Sequence, residues 1–196
     1  TPIVAACIAF VIVLTTVIIP TAKYNRAVEK YGKEWADTVK NASVGDTITF
    51  GAYEQDNNTS NGKEAIEWTV LDKDGMSLLL ISKQALDCQQ YNTSYTDVTW
   101  ESCSLRKWMN GTFLNKAFNA EEQAQIQNTT VSADKNPEYN TNPGNATTDK
   151  VFLLSINEVE KYFNSDEARK CAPTAYAKAQ GAYTSDIYKT ASGAAT

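Results

Sequence analysis

Apolar and polar positions change rhythm several times along the chain. From Thr1 to Ala22 ("TPIVAACIAFVIVLTTVIIPTA") no charged residue occurs. The apolar part, Ile3 to Ile19, would span about 26 Å as a helix, close to a bilayer core of about 30 Å. It has no polar face, so the pattern predicts a transmembrane helix over residues 1–22. Residues 23–43 are polar, but Tyr24, Val28, Tyr31 and Trp35 recur at three- and four-residue steps. That narrow stripe predicts a stalk helix, with Trp35 against the domain or the membrane edge.

Period-two alternation starts in "GDTITFGAY", where Ile48, Phe50 and Ala52 alternate with polar neighbours. It returns in "IEWTVLDKDGMSLLLIS". There Ile66, Trp68 and Val70 alternate, Asp74-Gly75 makes a turn and Leu78 to Ile81 reads as a buried strand. Between these strands lies a loop of turn formers, "EQDNNTSNGKE". The segment "CQQYNTSYTDV" has no clear period. In "TWESCSLRKWMNGTF", Leu105, Trp108 and Met109 share a helical face, with Cys103 nearly opposite Trp108 and Asn110-Gly111 as a left-handed stop. Leu114, Ala117 and Phe118 form a second apolar patch. Asn119 with Glu122, and Ser155 with Glu158, have the spacing of capping boxes. A polar loop runs from Ser132 to Lys150, "VFLLS" reads as a strand, and "APTAYAKAQGAY" predicts a helix ended at Gly181. Residues 44–196 thus read as a globular α+β domain of short antiparallel strands and short helices.

Charge and composition narrow the chemistry. The chain of 196 residues carries a net charge of −5 and no histidine. Lys and Arg are scattered among Asp and Glu, so no basic stripe for nucleic acid is expected. Without histidine the Ser-His and Cys-His pairings and most zinc sites are unavailable. No paired carboxylates, phosphate loop or nucleophile elbow emerges, and no catalytic residue is assigned. Trp68 and Trp108 fall on apolar faces and are read as core. Seven Asn-x-Ser/Thr sequences, from Asn41 to Asn145, reflect a chain rich in Asn and Thr.

Asp134, Asn136 and Glu138 have the first three spacings of a calcium loop. Tyr139 stands where that loop needs Gly, and Asn145 where it needs Glu, which excludes an EF-hand. A looser calcium site there, or at Asp56, Asn58 and Ser60, competes with plain solvated loops. Of four cysteines, Cys7 lies in the apolar run and is read as a small buried hydrophobe. If one pair is oxidised, Cys103 and Cys171 are chosen, because Cys103 is read as pointing off the apolar face and Cys171 precedes a turn at Pro173.

The stretches "GDTITFGAYEQ", "IEWTVLD", "LLLISKQALD", "TWESCSLRKWMNGTFLNKAF" and "DKVFLLSINEVEKYF" together resemble a bacterial, Firmicutes-type domain of unknown function, number sixty-two seventy-three, from about Gly45 onward. The resemblance implies a preceding transmembrane helix. It also implies closing Trp-Trp-Leu-Arg-Ser-Pro and Gly-Val-Arg-Pro-Ala-Leu segments, which are not found here, so the C-terminal part is expected to be missing. More distantly the family is similar to the C-type-lectin-like fold shared by lectins and formylglycine-generating enzymes. From that fold no site residue carries over.

Five basic residues follow the apolar run (Lys23, Arg26, Lys30, Lys33 and Lys40), which alone would place the domain in the cytoplasm. The resemblance implies the opposite side. The expectation is therefore a single-pass protein of the cell membrane, in contact with the lipid bilayer, with an extracellular domain. Its expected role is a binding module for a surface glycan, peptide or protein. The alternatives are an enzyme related in fold to formylglycine-generating enzymes and a structural envelope protein. Long loops on a rigid scaffold concentrate binding residues, so Asp134, Asn136, Glu138 and Tyr139 are the expected contacts.

Overall fold

The computed structural model describes residues 6–8, 11–14 and 20–182. In chain order they form β1 (Ala6–Ile8), β2 (Val11–Leu14), α1 (Pro20–Tyr31), α2 (Lys33–Asn41), β3 (Thr47–Tyr53), β4 (Glu64–Asp74), β5 (Ser77–Ser82) and β6 (Asp87–Gln89). Then come α3 (Ser104–Trp108), a π-helical turn at Met109–Phe113, α4 (Leu114–Ala117), α5 (Ala120–Gln125), β7 (Thr129–Val131), β8 (Thr147–Asp149), β9 (Val151–Phe152), α6 (Ile156–Tyr162) and α7 (Ala175–Ala179). The fold is α+β, with short antiparallel strands and short helices.

A five-stranded sheet of order β3-β4-β5-β2-β9 carries the core, and β1 pairs with β6 and β7 with β8 in two small ribbons. Alternation in β3 and β4 buries Ile48, Phe50, Ile66, Trp68 and Val70 on one face. The Trp68 indole also donates to the Phe50 carbonyl at 2.7 Å. In β5 the expected uniform burial is instead alternating: Leu78 and Leu80 enter the main core, while Leu79 and Ile81 pack beside Val131 and Phe152. A bulge between Thr49 and Ala52 turns β3 at Gly51, whose φ is +69°. A Cβ there would lie 2.5 Å from the Phe118 ring, so only glycine admits this close approach.

Three local expectations change. The apolar run is not a continuous helix: Ala6–Ile8 and Val11–Leu14 are strands, and the rest of Ile3 to Ile19 lies outside the described residues. The β-branched residues of Val11–Leu14 suit a pleated strand, which pairs with β5 along its length and with β9 at Val11 and Ile12. Among the described residues no helix is long and apolar enough to cross a membrane. The segment 23–43 is two helices broken at Gly32, and Tyr24, Val28, Tyr31 and Trp35 pack against the core. That stripe therefore holds the helices to the domain rather than lining a free stalk.

The stop expected at Asn110-Gly111 is also absent. Gly111 keeps a negative φ and the helix passes through a π turn into α4. Asn110 is occupied elsewhere: its Oδ1 accepts from the backbone of Lys150 and Val151, and its Nδ2 donates to the carbonyls of Arg106 and Val151. Both capping boxes, at Asn119–Glu122 and Ser155–Glu158, are formed.

Candidate functional site

Two loops, 90–103 and 132–146, meet over the end of α3. The second is the loop of a hairpin whose stem is fixed by the pairing of Val131 with Thr147 and Thr129 with Asp149. Alternation in β8 turns Thr147 and Asp149 inward while Thr148 faces out. The first loop is held to the start of α3. Ser104 donates its backbone N–H to Asn92 Oδ1 at 3.1 Å, and Thr93 N donates to Ser104 Oγ at 2.9 Å.

Asp149 joins the two. Its side chain is 1% exposed and accepts from Arg106 Nε at 2.8 and 3.0 Å. It also accepts from the Trp100 indole at 3.0 Å and from Thr147 Oγ1 at 2.5 Å. Arg106 reaches on to the Glu101 carbonyl at 3.1 Å. Nearer the surface, Glu101 accepts from the backbone and side-chain amides of Asn145 at 3.2 and 3.0 Å. Gly144 lies so close to Thr99 that a Cβ would fall 2.6 Å from its Oγ1. An arginine–carboxylate clasp is a strong, oriented contact, and here it fixes the base on which both loops rest.

Above this base the loops present aromatic rings to water. Tyr95 is 89% exposed and Tyr139 59%. Each ring offers a large apolar face with a polar tip. The two loops are rich in Asn, Asp, Ser and Thr, whose side chains carry donors and acceptors.

The four expected contacts share one loop but not one task. Glu138 and Tyr139 are exposed. Asn136 shapes the loop, its Oδ1 accepting from Glu138 N at 2.8 Å and Tyr139 N at 3.2 Å. Asp134 accepts from Asn157 Nδ2 at 3.2 Å, which ties the loop to α6. Tyr95, Glu101, Arg106 and Asp149 were not singled out in the sequence. Forty-three residues separate Arg106 from Asp149, and only the short alternation in "TTD" hints that Asp149 turns inward.

A second cluster lies in the loop between β3 and β4. Glu54, Asp56 and Glu64 each bring a carboxylate oxygen within 4.8 Å of the others. Such oxygens suit a hard cation, but they already serve the loop. Glu64 accepts from Gln55 N, Glu54 from Asn58 N, and Asp56 from Asn61 Nδ2. The Asn61 and backbone contacts hold the Asp56 carboxyl below its usual value.

In the interior, the Tyr53 hydroxyl donates to Asp87 Oδ2 at 2.5 Å. Burial first, then this carboxylate, push the phenol far above its ordinary value, so it stays neutral and is no general base. The two chosen cysteines are not joined. Cys103 and Cys171 are free thiols. Contrary to the expected outward direction, Cys103 is fully buried, where its sulfur caps α3 by accepting from Arg106 N at 3.4 Å. Burial raises the Cys171 thiol above its usual value, which slows any attack as thiolate.

No curated protein and no solved structure matches the chain. The model of one family, the domain of unknown function DUF6273, matches residues 75–193. That match starts later than the resemblance from Gly45, at the β4–β5 turn, and takes in both loops and the Arg106–Asp149 clasp. With more than half of its length matched, the chain belongs to the DUF6273 family.

Proposed function

We propose that the protein is a membrane-anchored extracytoplasmic binding module that takes a glycan on the paired loops 90–103 and 132–146. The observation that carries this reading is the exposure of Tyr95 and Tyr139 on loops pinned by Asp149 and Glu101. Sugar rings offer C–H faces to aromatic rings and hydroxyls to planar amides and carboxylates. Tyrosine beside Asn, Ser and Thr supplies both at low entropic cost. Glu138 and Tyr139 contribute from the second loop, with Asp134 and Asn136 shaping it. A C-type-lectin-like arrangement of the family is consistent with this use of long loops. The anchor is the uncharged run from Thr1 to Ala22.

The test is a glycan and peptide array probed with the full chain, followed by Tyr95→Ala and Tyr139→Ala. Each exposed ring lost should weaken binding about tenfold, or about 1.4 kcal/mol, with the melting temperature unchanged. Binding that survives both substitutions would remove these loops from the site. Turnover of an arrayed ligand would reverse the class.

A further inference from the structure

The N-terminal run has two homes that exclude one another. As a helix, an uncharged stretch of this length satisfies its own backbone in lipid. As a strand it borrows neighbours: Val11, Ile12, Val13 and Leu14 stand opposite Ile81, Leu80, Leu79 and Leu78 of β5. Val11 and Ile12 also stand opposite Phe152 and Val151 of β9. The same amides cannot serve both. Apolar residues favour a lipid or a protein interior over water alike, so composition alone scarcely chooses between the two homes. The choice falls to sheet pairing against lipid.

Withdrawal has a structural consequence. Among the described residues β9 joins the five-stranded sheet only through β2. Without β2, β5 presents a row of unpaired backbone groups along Leu78 to Ile81, while on β9 Phe152 loses its partner strand and Val151 keeps its bonds to Asn110.

We infer that the N-terminal run is a two-state element: a strand seated between β5 and β9 away from lipid, and a bilayer-embedded segment in its presence, whose withdrawal opens those two edges. The second state rests on the membrane reading above; the first stands on the sheet register.

Native cysteines can count the seated state. Cys7 and Cys88 are partners in the antiparallel β1–β6 pair. Opposed positions there have Cα separations of about 4.5–5.5 Å, inside the range of about 4.4–6.8 Å that a disulfide needs. Oxidised glutathione would join them: the two thiols lose two protons and two electrons, and the reagent takes these up as two glutathione thiols. The full chain is treated with and without neutral phosphatidylcholine vesicles. Flotation, non-reducing peptide mapping and hydrogen exchange are read on the same samples.

Without vesicles, the Cys7–Cys88 bridge should form and the β2-facing amides of Leu78 to Ile81 should be protected. In the floated fraction, the bridge should fall at least tenfold and that protection should be lost. Flotation with bridge and protection unchanged overturns the inference and leaves the membrane reading standing. No flotation overturns both. Lipid-free chain with neither bridge nor protected β2-facing amides overturns the seated state, and the inference with it.

Discussion

Arg106 grips both carboxylate oxygens of Asp149 through its Nε, at 2.8 and 3.0 Å, across forty-three residues of chain. Asp149→Ala would leave Arg106, the Trp100 indole and Thr147 Oγ1 without their acceptor. Removing one partner of a buried ion pair costs about 3–5 kcal/mol, and the low end applies because Arg106 keeps some solvent contact. Urea unfolding should show a loss of about 3 kcal/mol with the slope unchanged. A loss under about 1 kcal/mol would mean that the clasp is ornamental to the loops.

The Tyr53–Asp87 pair predicts an alkaline limit. Tyr53 in the fold titrates well above the value of about 10 for a free phenol. Above about pH 10 the unfolded chain releases a proton that the folded chain keeps. This contribution is whole below about pH 10 and is lost as pH rises further, by about 1.4 kcal/mol per pH unit. Melting temperature should therefore fall less steeply on the alkaline side in Tyr53→Phe. Tyr24 and Tyr91 are present in both proteins, so the difference reports Tyr53 together with the Tyr176 hydroxyl it touches. Parallel slopes would refute the assignment.

Gly51→Ala tests the bulge of β3. A left-handed backbone costs a non-glycine residue about 1–2 kcal/mol, and the added methyl would also strike the Phe118 ring and the Ala117 carbonyl. Gly62→Ala is the control, since it also has a positive φ but meets nothing within 4 Å. The Gly51 variant should be less stable than the control by about 1–3 kcal/mol in denaturant melts. Equal stability would show that the ring moves aside freely.

Local signals were the readable part of this chain. Alternation in β4, the first two inward positions of β3 and the two capping boxes depend on residues a few positions apart, and the structure has them as read; past the bulge of β3 the buried residue is Tyr53 rather than the expected Ala52. Trp108 also shows the strength of this scale: as expected it packs on the core, its ring 5.9 Å from Phe113. Long-range choices were hidden. Nothing in "VIVL" says whether a bilayer or the gap between β5 and β9 will take it, because both reward the same apolar composition. Asn110-Gly111 has the chemistry of a helix stop, yet the Asn110 amide finds four backbone partners, on Lys150, Val151 and Arg106, and the chain continues. The base of the loops escaped for the same reason. A carboxylate and a guanidinium in different elements acquire meaning only when the sheet ribbon brings them together.

The π turn at Met109–Phe113 gives the stretch from Ser104 to Ala117 a slipped thread. Each α-helical residue advances about 100° around the axis, and a π turn holds one residue more than an α turn. Met109 and Phe113, at the two ends of the slip, and Leu114 and Ala117 after it, are all buried. An unslipped helix would rotate the last two relative to the first by about one residue's step. The chain therefore carries what amounts to an absorbed insertion. Removing Gly111 would take out the extra residue and leave Leu114, Ala117 and the Phe118 that follows facing the sheet they now engage; it is winding the full-length stretch as regular α-helix that would unscrew them.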